Sequence, residues 1–163
     1  MPTPFIPKSF DPPRTLKAKY FYFKVLEDSI AELDFEAVMS SQKRLQSIFG
    51  PDSEWPKFNM NIEENIASLK AHKGEFELRE AFAYSVFNES KTRCLGSIYI
   101  DPSQSPNYDC DVYYWIRDDS LALEEELYKT VLNWLQKVWS FSKIAFPGKH
   151  ISWEDWAKEL KVV

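Results

Sequence analysis

The stretch "VYYWIRDDSLALEEELYKTVLNWL", Val112 to Leu135, decides the fold because a strand runs directly into a helix. Its first residues are β-branched and aromatic, which is typical of a strand. Apolar residues then recur at three- and four-residue steps, which predicts an amphipathic helix. The first backbone N–H groups of a helix lack partners inside it, and the helix dipole adds positive character there. The bend at 117–122 is therefore either a phosphate cradle or a plain capped helix start.

Acidic residues crowd this bend. Asp118, Asp119 and the run 124–126 place five carboxylates beside it. One like-charge pair at ~5 Å, with an effective dielectric of about 20, costs on the order of 3 kcal/mol before screening. The cost falls steeply where the carboxylates point into solvent. In the capped alternative, the side chain of Asp118, Asp119 or Ser120 accepts hydrogen bonds from the amides that a phosphate needs. The sequence leaves both alternatives open.

Composition limits the classes of partner. The 163 residues fit one domain with a single core, and the formal net charge is −5. The basic residues are scattered, so we expect no nucleic-acid partner. No apolar run approaches the ~18–20 residues that span a bilayer, so we expect no membrane segment. The two cysteines and two histidines have no metal-ligand spacing, which predicts no metal site and reduced thiols in a cytoplasmic protein.

The order of elements follows from periodicity and from the turn residues. A Pro-rich N-terminal arm, 1–19, is expected to lie over the surface or to be loose, and 20–163 to form a single domain. Within that domain we predict strands at 20–26, 81–87, 94–100, 110–117 and 143–148, and helices at 28–50 (one or two), from Asn61 to about 80, at 121–139 and at 152–160.

Three motifs in this order resemble the GCN5-related N-acetyltransferase (GNAT) superfamily. The chain has "LG" at Leu95–Gly96, then "YYWIR", then a loop at 117–122. The family loop typically reads Gln/Arg-x-x-Gly-x-Gly/Ala; this chain matches it at Arg117 and Ala122 and departs from it at Ser120. The resemblance covers about residues 20–148. It implies an α/β (α+β) fold with a GNAT-like mixed, mostly antiparallel sheet flanked by helices.

The resemblance also implies acetyl-CoA as cofactor and an amine of a small molecule or peptide as acceptor. In the family, the pyrophosphate lies on backbone N–H groups of the loop, and the pantetheine pairs like a strand with the strand before it. Carried over to this chain, the cofactor-binding residues are Tyr114, Trp115, Ile116, Arg117, Ser120, Leu121 and Ala122.

The catalytic residues are unknown from the sequence. Acetyl transfer needs a base for the amine and an acid for the departing thiolate. In many GNAT members that acid is a tyrosine in the helix after the fifth strand, but no tyrosine follows Tyr128 here. Only 15 residues follow Gly148, which indicates a divergent member with a shortened C-terminal part. The substitutes are His150 as acid and Asp109 or Asp111 as base, unless these side chains are simply solvated.

Two functional hypotheses therefore stay open, and whether the chain is an enzyme is uncertain. One is an acetyl-CoA-dependent N-acetyltransferase. The other is a catalytically inactive GNAT-fold binding or assembly module. Under either hypothesis Cys110 is a candidate nucleophile by residue type, but no histidine is paired with it in the sequence, so we expect a quiet strand cysteine. The missing closing strands leave the last strand as an open edge. We expect the N-terminal arm or a second subunit, as in a homodimer, to cover that edge.

Overall fold

The computed structural model describes residues 3–161, and its centre is a six-stranded sheet with the strands in chain order. Each of the first four strands is antiparallel to the next, and the last pair is parallel. The strands are β1 (Thr15–Lys17), β2 (Tyr22–Val25), β3 (Phe82–Phe87), β4 (Cys94–Pro102), β5 (Cys110–Ile116) and β6 (Ile144–Ala145). The mixed, mostly antiparallel sheet flanked by helices confirms the predicted fold class.

Five helices cover the two faces of the sheet. They are α1 (Ala31–Ser40), α2 (Gln42–Leu45), α3 (Ile62–Glu77), α4 (Glu124–Lys137) and α5 (Trp153–Lys161). Buried residues of α1, with Leu69 of α3, pack on one face with Tyr99 and Trp115. The buried residues of α4, with Phe76 near the end of α3, pack on the other face with Tyr84 and Ile98. Within the described residues, no helix is long and apolar enough to cross a bilayer.

Local chemistry explains where these helices begin. The Asn61 side chain accepts from the Glu64 amide at 2.9 Å, and the Glu64 carboxylate accepts from the Asn61 amide in return, so α3 starts with a capping box. The Ser152 hydroxyl accepts from the Asp155 amide at 3.0 Å before α5. Both helices begin within one residue of the predicted start. Helix α4 begins three residues later than predicted because 118–123 form 3-10 turns.

The Pro-rich arm lies over the surface of the sheet and contributes a strand to it. Ile6 is buried, and the Tyr84 hydroxyl donates to the Pro13 carbonyl at 2.6 Å. Strand β1 then pairs with β2 at the edge opposite β6. No described residue of the arm pairs with β6, so the expectation that the arm covers that edge is wrong. A covering second subunit stays a prediction.

Gly96 fixes how closely β4 and β5 approach each other. A Cβ atom at this position would lie 1.9 Å from the Trp115 carbonyl oxygen, which is far inside van der Waals contact. Only a residue without a side chain allows that approach. The glycine of the "LG" motif therefore shapes the strand that leads into the candidate site.

Candidate functional site

Strand β5 loses its parallel neighbour after two residues. β6 pairs only with Cys110 and Asp111. The Arg117 amide donates to the Leu95 carbonyl at 2.8 Å. Because amide directions alternate along an extended strand, the N–H and C=O groups of Val112 and Tyr114 point away from β4. No strand of the described chain lies beside them, so the C-terminal half of β5 has an open outer edge.

The bend at the end of this open edge consists of two short 3-10 turns that meet at Ser120. Ser120 has φ −124° and ψ 18°, which any L-residue can adopt, so the absent family glycine causes no strain here. The Ser120 amide donates to the Arg117 carbonyl at 3.0 Å, and the Glu124 amide donates to the Leu121 carbonyl. The Asp118 amide donates to the Ser41 hydroxyl at 2.7 Å.

The capping alternative is wrong in its detail. Neither the 3-10 segment that starts at Asp118 nor helix α4, which starts at Glu124, has a side-chain cap. The Ser120 hydroxyl instead donates to the Asp119 carboxylate at 3.2 Å. The Asp118 amide is thus bonded to Ser41, a residue from another part of the chain, and the Ser120 amide to a backbone carbonyl.

Arginines pair with Asp118 and Asp119 of the bend and with Glu36 of α1. The Arg117 guanidinium, 3% exposed, donates to the Cys94 carbonyl at 3.1 Å, to Asp119 at 3.0 Å and to both carboxylate oxygens of Glu36. Two more pairs join Arg44 to Asp118 and Arg93 to Asp119. Three guanidinium groups thus balance three carboxylates.

This balance changes the electrostatic argument against a bound diphosphate. Hydrogen bonding to Arg93 holds the pKa of the Asp119 carboxyl below its usual range, and Arg117 adds to the effect. Glu124, at the first turn of α4, lies 3.4 Å from the Lys149 ammonium. Asp118, Asp119 and Glu124 therefore all have cationic partners.

The side chains of the predicted cofactor strand belong to the core. Tyr114 is 3% exposed and faces α4, with the Lys149 ammonium 5.1 Å from the centre of its ring. Trp115 faces the opposite side, where its indole N–H donates to the Tyr99 hydroxyl at 3.2 Å. Ile116 is fully buried. The Trp115 backbone faces β4, and the Ile116 carbonyl accepts from the Arg44 guanidinium. Among these three residues, the outward backbone of Tyr114 is therefore the part left for a ligand.

The turn residues are placed differently from the strand residues. Leu121 and Ala122 are exposed and Ser120 is half-buried. The structure thus brings the open edge of β5 and an accessible turn together at the N-terminal end of α4. This is the juxtaposition that the predicted cofactor site requires.

The acids proposed from the sequence have structural partners. The Asp109 carboxylate accepts from the amides of Ser142 at 2.8 Å and Lys143 at 2.9 Å, and these bonds hold its pKa below the usual range. Asp111 is buried and accepts from the Ser103 hydroxyl at 2.7 Å and the Gln104 amide at 2.9 Å. Asp109 therefore holds the segment before β6 in place, and Asp111 holds the loop after β4.

The candidate acid His150 is packed against another ring, and Cys110 is an unreactive thiol. The imidazole of His150 stacks on the ring of Tyr128, with 3.8 Å between the ring centroids. Cys110 is fully buried, and burial raises the pKa of its thiol far above neutrality. The thiol therefore stays protonated, as expected for a quiet strand cysteine.

Sequence reasoning missed Asp101. It lies in β4 directly across from Asp111, on the same face of the sheet as Tyr99 and Tyr113. Burial raises the pKa of the Asp101 carboxyl to about 6, and the charges of Glu75 and Asp111 add to the shift. No hydrogen bond offsets this.

The reason for the miss is that register is a long-range property. Alternation along β4 places Asp101 on the face of Tyr99, which the sequence reveals. Its position opposite Asp111 depends on the loop between β4 and β5, which the sequence does not reveal. Within residues 3–161, no group of three or more His, Cys, Asp or Glu side chains is arranged to hold a metal ion.

Solved structures share this architecture. The ribosomal-protein-S5-alanine acetyltransferase from Vibrio fischeri matches with a TM-score of 0.64 and 15% identity over 91% of this chain and 80% of that one. The GNAT-family acetyltransferase from Bacillus anthracis matches with a TM-score of 0.59 and 12% identity, over 80% and 70%. The microcin C7 self-immunity acetyltransferase MccE, in complex with acetyl-CoA and AMP, gives 0.56 and 15%, over 77% and 67%.

These matches identify the architecture. The chain has the fold of the GNAT superfamily, as its motifs predict. No protein-family model and no curated protein matches the sequence. At identities this low the likeness concerns the fold alone.

Proposed function

We propose that this protein is an acetyl-CoA-dependent N-acetyltransferase that acts on an amine of a small molecule or peptide. The observation that carries the proposal is the separation of β5 from β6 after Asp111. It leaves the outward N–H and C=O groups of Val112 and Tyr114 beside the turn that opens α4. An extended amide-containing chain can pair with such an edge, and a diphosphate can lie at such a helix start.

The residues present fit the cofactor at both places. The pantetheine would lie along the open edge of β5, at Val112 and Tyr114. The diphosphate would lie at the turn 117–122, where the arginine pairs have cancelled much of the local negative charge. When bound, acetyl-CoA supplies an acetyl group activated as a thioester.

Asp101 is the proposed base. An aliphatic amine is protonated near neutral pH and must lose a proton before it can attack an acyl carbon. With its pKa near 6, Asp101 is ionised at pH 7.5 and yet more basic than an ordinary carboxylate. Tyr99 and Tyr113 on the same face provide an apolar wall for the acceptor. The names of the Vibrio fischeri and MccE neighbours, both acetyltransferases, support this class of reaction.

A catalytically inactive binding module is the second candidate. Two observations favour it: α5 contains no tyrosine, and the Ser41 hydroxyl occupies the Asp118 amide. In this case the bond to Ser41 leaves the Asp118 amide with no hydrogen to donate to a phosphate, and the fold serves for binding or assembly.

Location and assembly complete the proposal. Cys94 and Cys110 are both buried free thiols, which supports a reducing, cytoplasmic location.

The short strand β6 has one partner, β5, among the described residues, so its other edge supports pairing in a homodimer. Light scattering that gives the mass of one chain would contradict the dimer.

Thermal unfolding with acetyl-CoA tests the main proposal. At a ligand concentration near 100 times Kd, the free energy of unfolding should rise by about 2.7 kcal/mol. Ser120→Glu adds a negative charge to the turn and should abolish this gain. Ser90→Glu adds the same charge to the exposed β3–β4 hairpin and should leave the gain intact.

The outcomes separate the two candidates. Stabilisation that Ser120→Glu removes and Ser90→Glu retains supports the site. Stabilisation that survives Ser120→Glu places the cofactor elsewhere. No stabilisation of the wild type at millimolar acetyl-CoA contradicts the transferase and favours the binding module.

A further inference from the structure

A cavity lies between helices α1 and α3 and strand β4. It has a volume of about 190 Å³, which is room for about six water molecules or one small organic ligand. Its walls come from four parts of the chain. The lining residues are Leu26, Asp34, Phe49, Trp55, Asn65, Ser68, Leu69, His72 and Tyr99.

One carboxylate in this wall has no cationic partner. Asp34 is 3% exposed, and its Oδ2 accepts from the Asn65 amide nitrogen Nδ2 at 3.0 Å. Within residues 3–161, no lysine, arginine or histidine lies within 4 Å of it as an ion pair, in contrast to the acids of the turn. An ionised carboxylate buried without a cation is costly. A cationic ligand in the cavity would remove that cost.

Aromatic rings surround the same space. The Phe49 ring lies 5.0 Å from the Tyr99 ring and 5.4 Å from the Trp55 ring, between centroids. The His72 ring lies 5.3 Å from that of Tyr99. Burial lowers the pKa of His72, so the imidazole is neutral at physiological pH and does not repel a cation. Ring faces attract organic cations, most strongly where water is excluded.

We propose that this cavity binds a small organic ammonium cation, with Asp34 as counter-ion and Phe49, Trp55 and Tyr99 as the aromatic wall. The apolar residues Leu26 and Leu69 accommodate the short alkyl part of such a ligand. The volume excludes large ligands, because 190 Å³ is below the usual range for drug-sized molecules. The cavity shares Tyr99 with the proposed acceptor wall, but its counter-ion Asp34 is separate from the proposed base Asp101, and cation binding is measured without acetyl-CoA.

Asn65 completes the site as a positioning residue. Its Nδ2 also donates to the Ala31 carbonyl at 3.3 Å, so its amide holds α1 and α3 together while orienting the Asp34 carboxylate. One carboxylate oxygen is thereby fixed by the protein. The other is left for a donor N–H of the ligand.

Titration with butylammonium chloride, without acetyl-CoA, tests the proposal. The Trp55 indole signal in a 1H–15N correlation spectrum reports binding, and it is assigned by its loss in Trp55→Leu. Butylammonium should shift this signal in a saturable manner at pH 7.5. The uncharged 1-butanol should bind at least tenfold more weakly. Sodium chloride at the same ionic strength should cause no saturable shift.

Two variants isolate the role of the carboxylate. Asp34→Asn keeps the shape of the side chain and should weaken butylammonium binding at least tenfold. Glu32→Gln removes an exposed carboxylate from the same helix and should change nothing. A thermal melt of each variant confirms that it is folded. For a variant that fails to fold, the comparison of butylammonium with 1-butanol in the wild type still decides the question.

Three results would overturn the proposal. Equal affinity for butylammonium and 1-butanol would show an apolar cavity without charge recognition. Full binding by folded Asp34→Asn would show that the cation contacts another group. No saturable shift with butylammonium would show that the cavity is closed to cations. None of these results affects the acetyl-CoA site, which is tested separately through Ser120.

Discussion

The carboxylates of the turn and those of the α1–α3 face have opposite environments. Asp118 and Asp119 are more than one-third exposed and each meets an arginine. Asp34 and Asp101 are buried or half-buried, and neither forms an ion pair with a cation of residues 3–161. The pKa of Asp119 is accordingly held down, while those of Asp34 and Asp101 are raised to about 6.

The difference shows that local charge density in a sequence is a poor guide to electrostatics. The turn is the most acidic part of the chain, yet arginines from α2 and from the β3–β4 connection compensate its acids. Asp101 ends an apolar strand, and Asp34 lies between Leu33 and Phe35 on the buried side of a helix. They are the carboxylates whose chemistry the fold has changed most, which is the pattern expected of functional groups.

Replacement of the proposed base should produce the largest effect. Asp101→Asn should lower kcat/KM for acetylation of an amine by 10²- to 10³-fold. The wild-type rate should rise with pH through about 6, since the carboxylate must be ionised to accept a proton. The variant should lack that rise. Steady-state kinetics across pH 5–8 with a reactive amine from a panel provides the measurement.

A matched control accompanies this experiment. Glu63→Gln removes an exposed carboxylate from the first turn of α3 and should leave the rate and its pH profile unchanged. If Asp101→Asn retains wild-type kcat/KM, Asp101 is not the base, and the contrast between the two sets of acids has no catalytic meaning.

Removal of the buried charge at position 34 should increase stability. The folded pKa of about 6 exceeds the ordinary value of 3.8, so ionisation destabilises the folded state above pH 6 and has no effect below pH 3.8. Asp34→Asn should therefore raise the free energy of unfolding by about 3 kcal/mol at pH 8. Urea unfolding from pH 4 to 8 should show the gain shrinking as the pH falls.

This measurement separates an uncompensated charge from a structural hydrogen bond. A variant less stable than wild type at pH 8 would show that the bond to Asn65 outweighs the cost of the buried charge. Glu32→Gln provides the baseline, because its carboxylate is exposed on the same helix.

The smallest effect is expected at the turn. Asp119→Asn should lower stability by less than about 1 kcal/mol, because 53% of the side chain is exposed and solvent screens its ion pairs. Its depressed pKa means that the stabilisation is present above the ordinary value and is lost as the pH falls through the folded pKa. High salt should remove the difference in urea midpoint. A loss above 2 kcal/mol would show that these pairs are not surface pairs.

Periodicity and turn residues were sufficient to predict most of the fold. The start of α3 after Asn61, the strand before Arg117 and the amphipathic α4 all depend on neighbours within a few residues, and local patterns encode these. The register of β4 against β5 and the position of the arm depend on contacts across the fold. The edge strand β1 was missed for this reason.

The candidate site could be predicted only in outline. The motif placed the turn correctly, but the partners of its acids come from Arg44 and Arg93, which no spacing rule connects to it. The same holds for Ser41, whose hydroxyl accepts from the Asp118 amide. The pKa of Asp34 is raised because its side chain is buried between α1 and α3. There it accepts from Asn65, which lies 31 residues later in the chain. Such burial is a tertiary property.

The open edge of β5 is tested most directly by a 1H–15N titration with acetyl-CoA. The account predicts saturable shifts of the Val112 and Tyr114 amides, together with those of the turn 118–122, while the amides of β1 and β2 at the opposite edge stay unchanged. Saturable shifts elsewhere in the chain, with the β5 and turn amides unmoved, would contradict it.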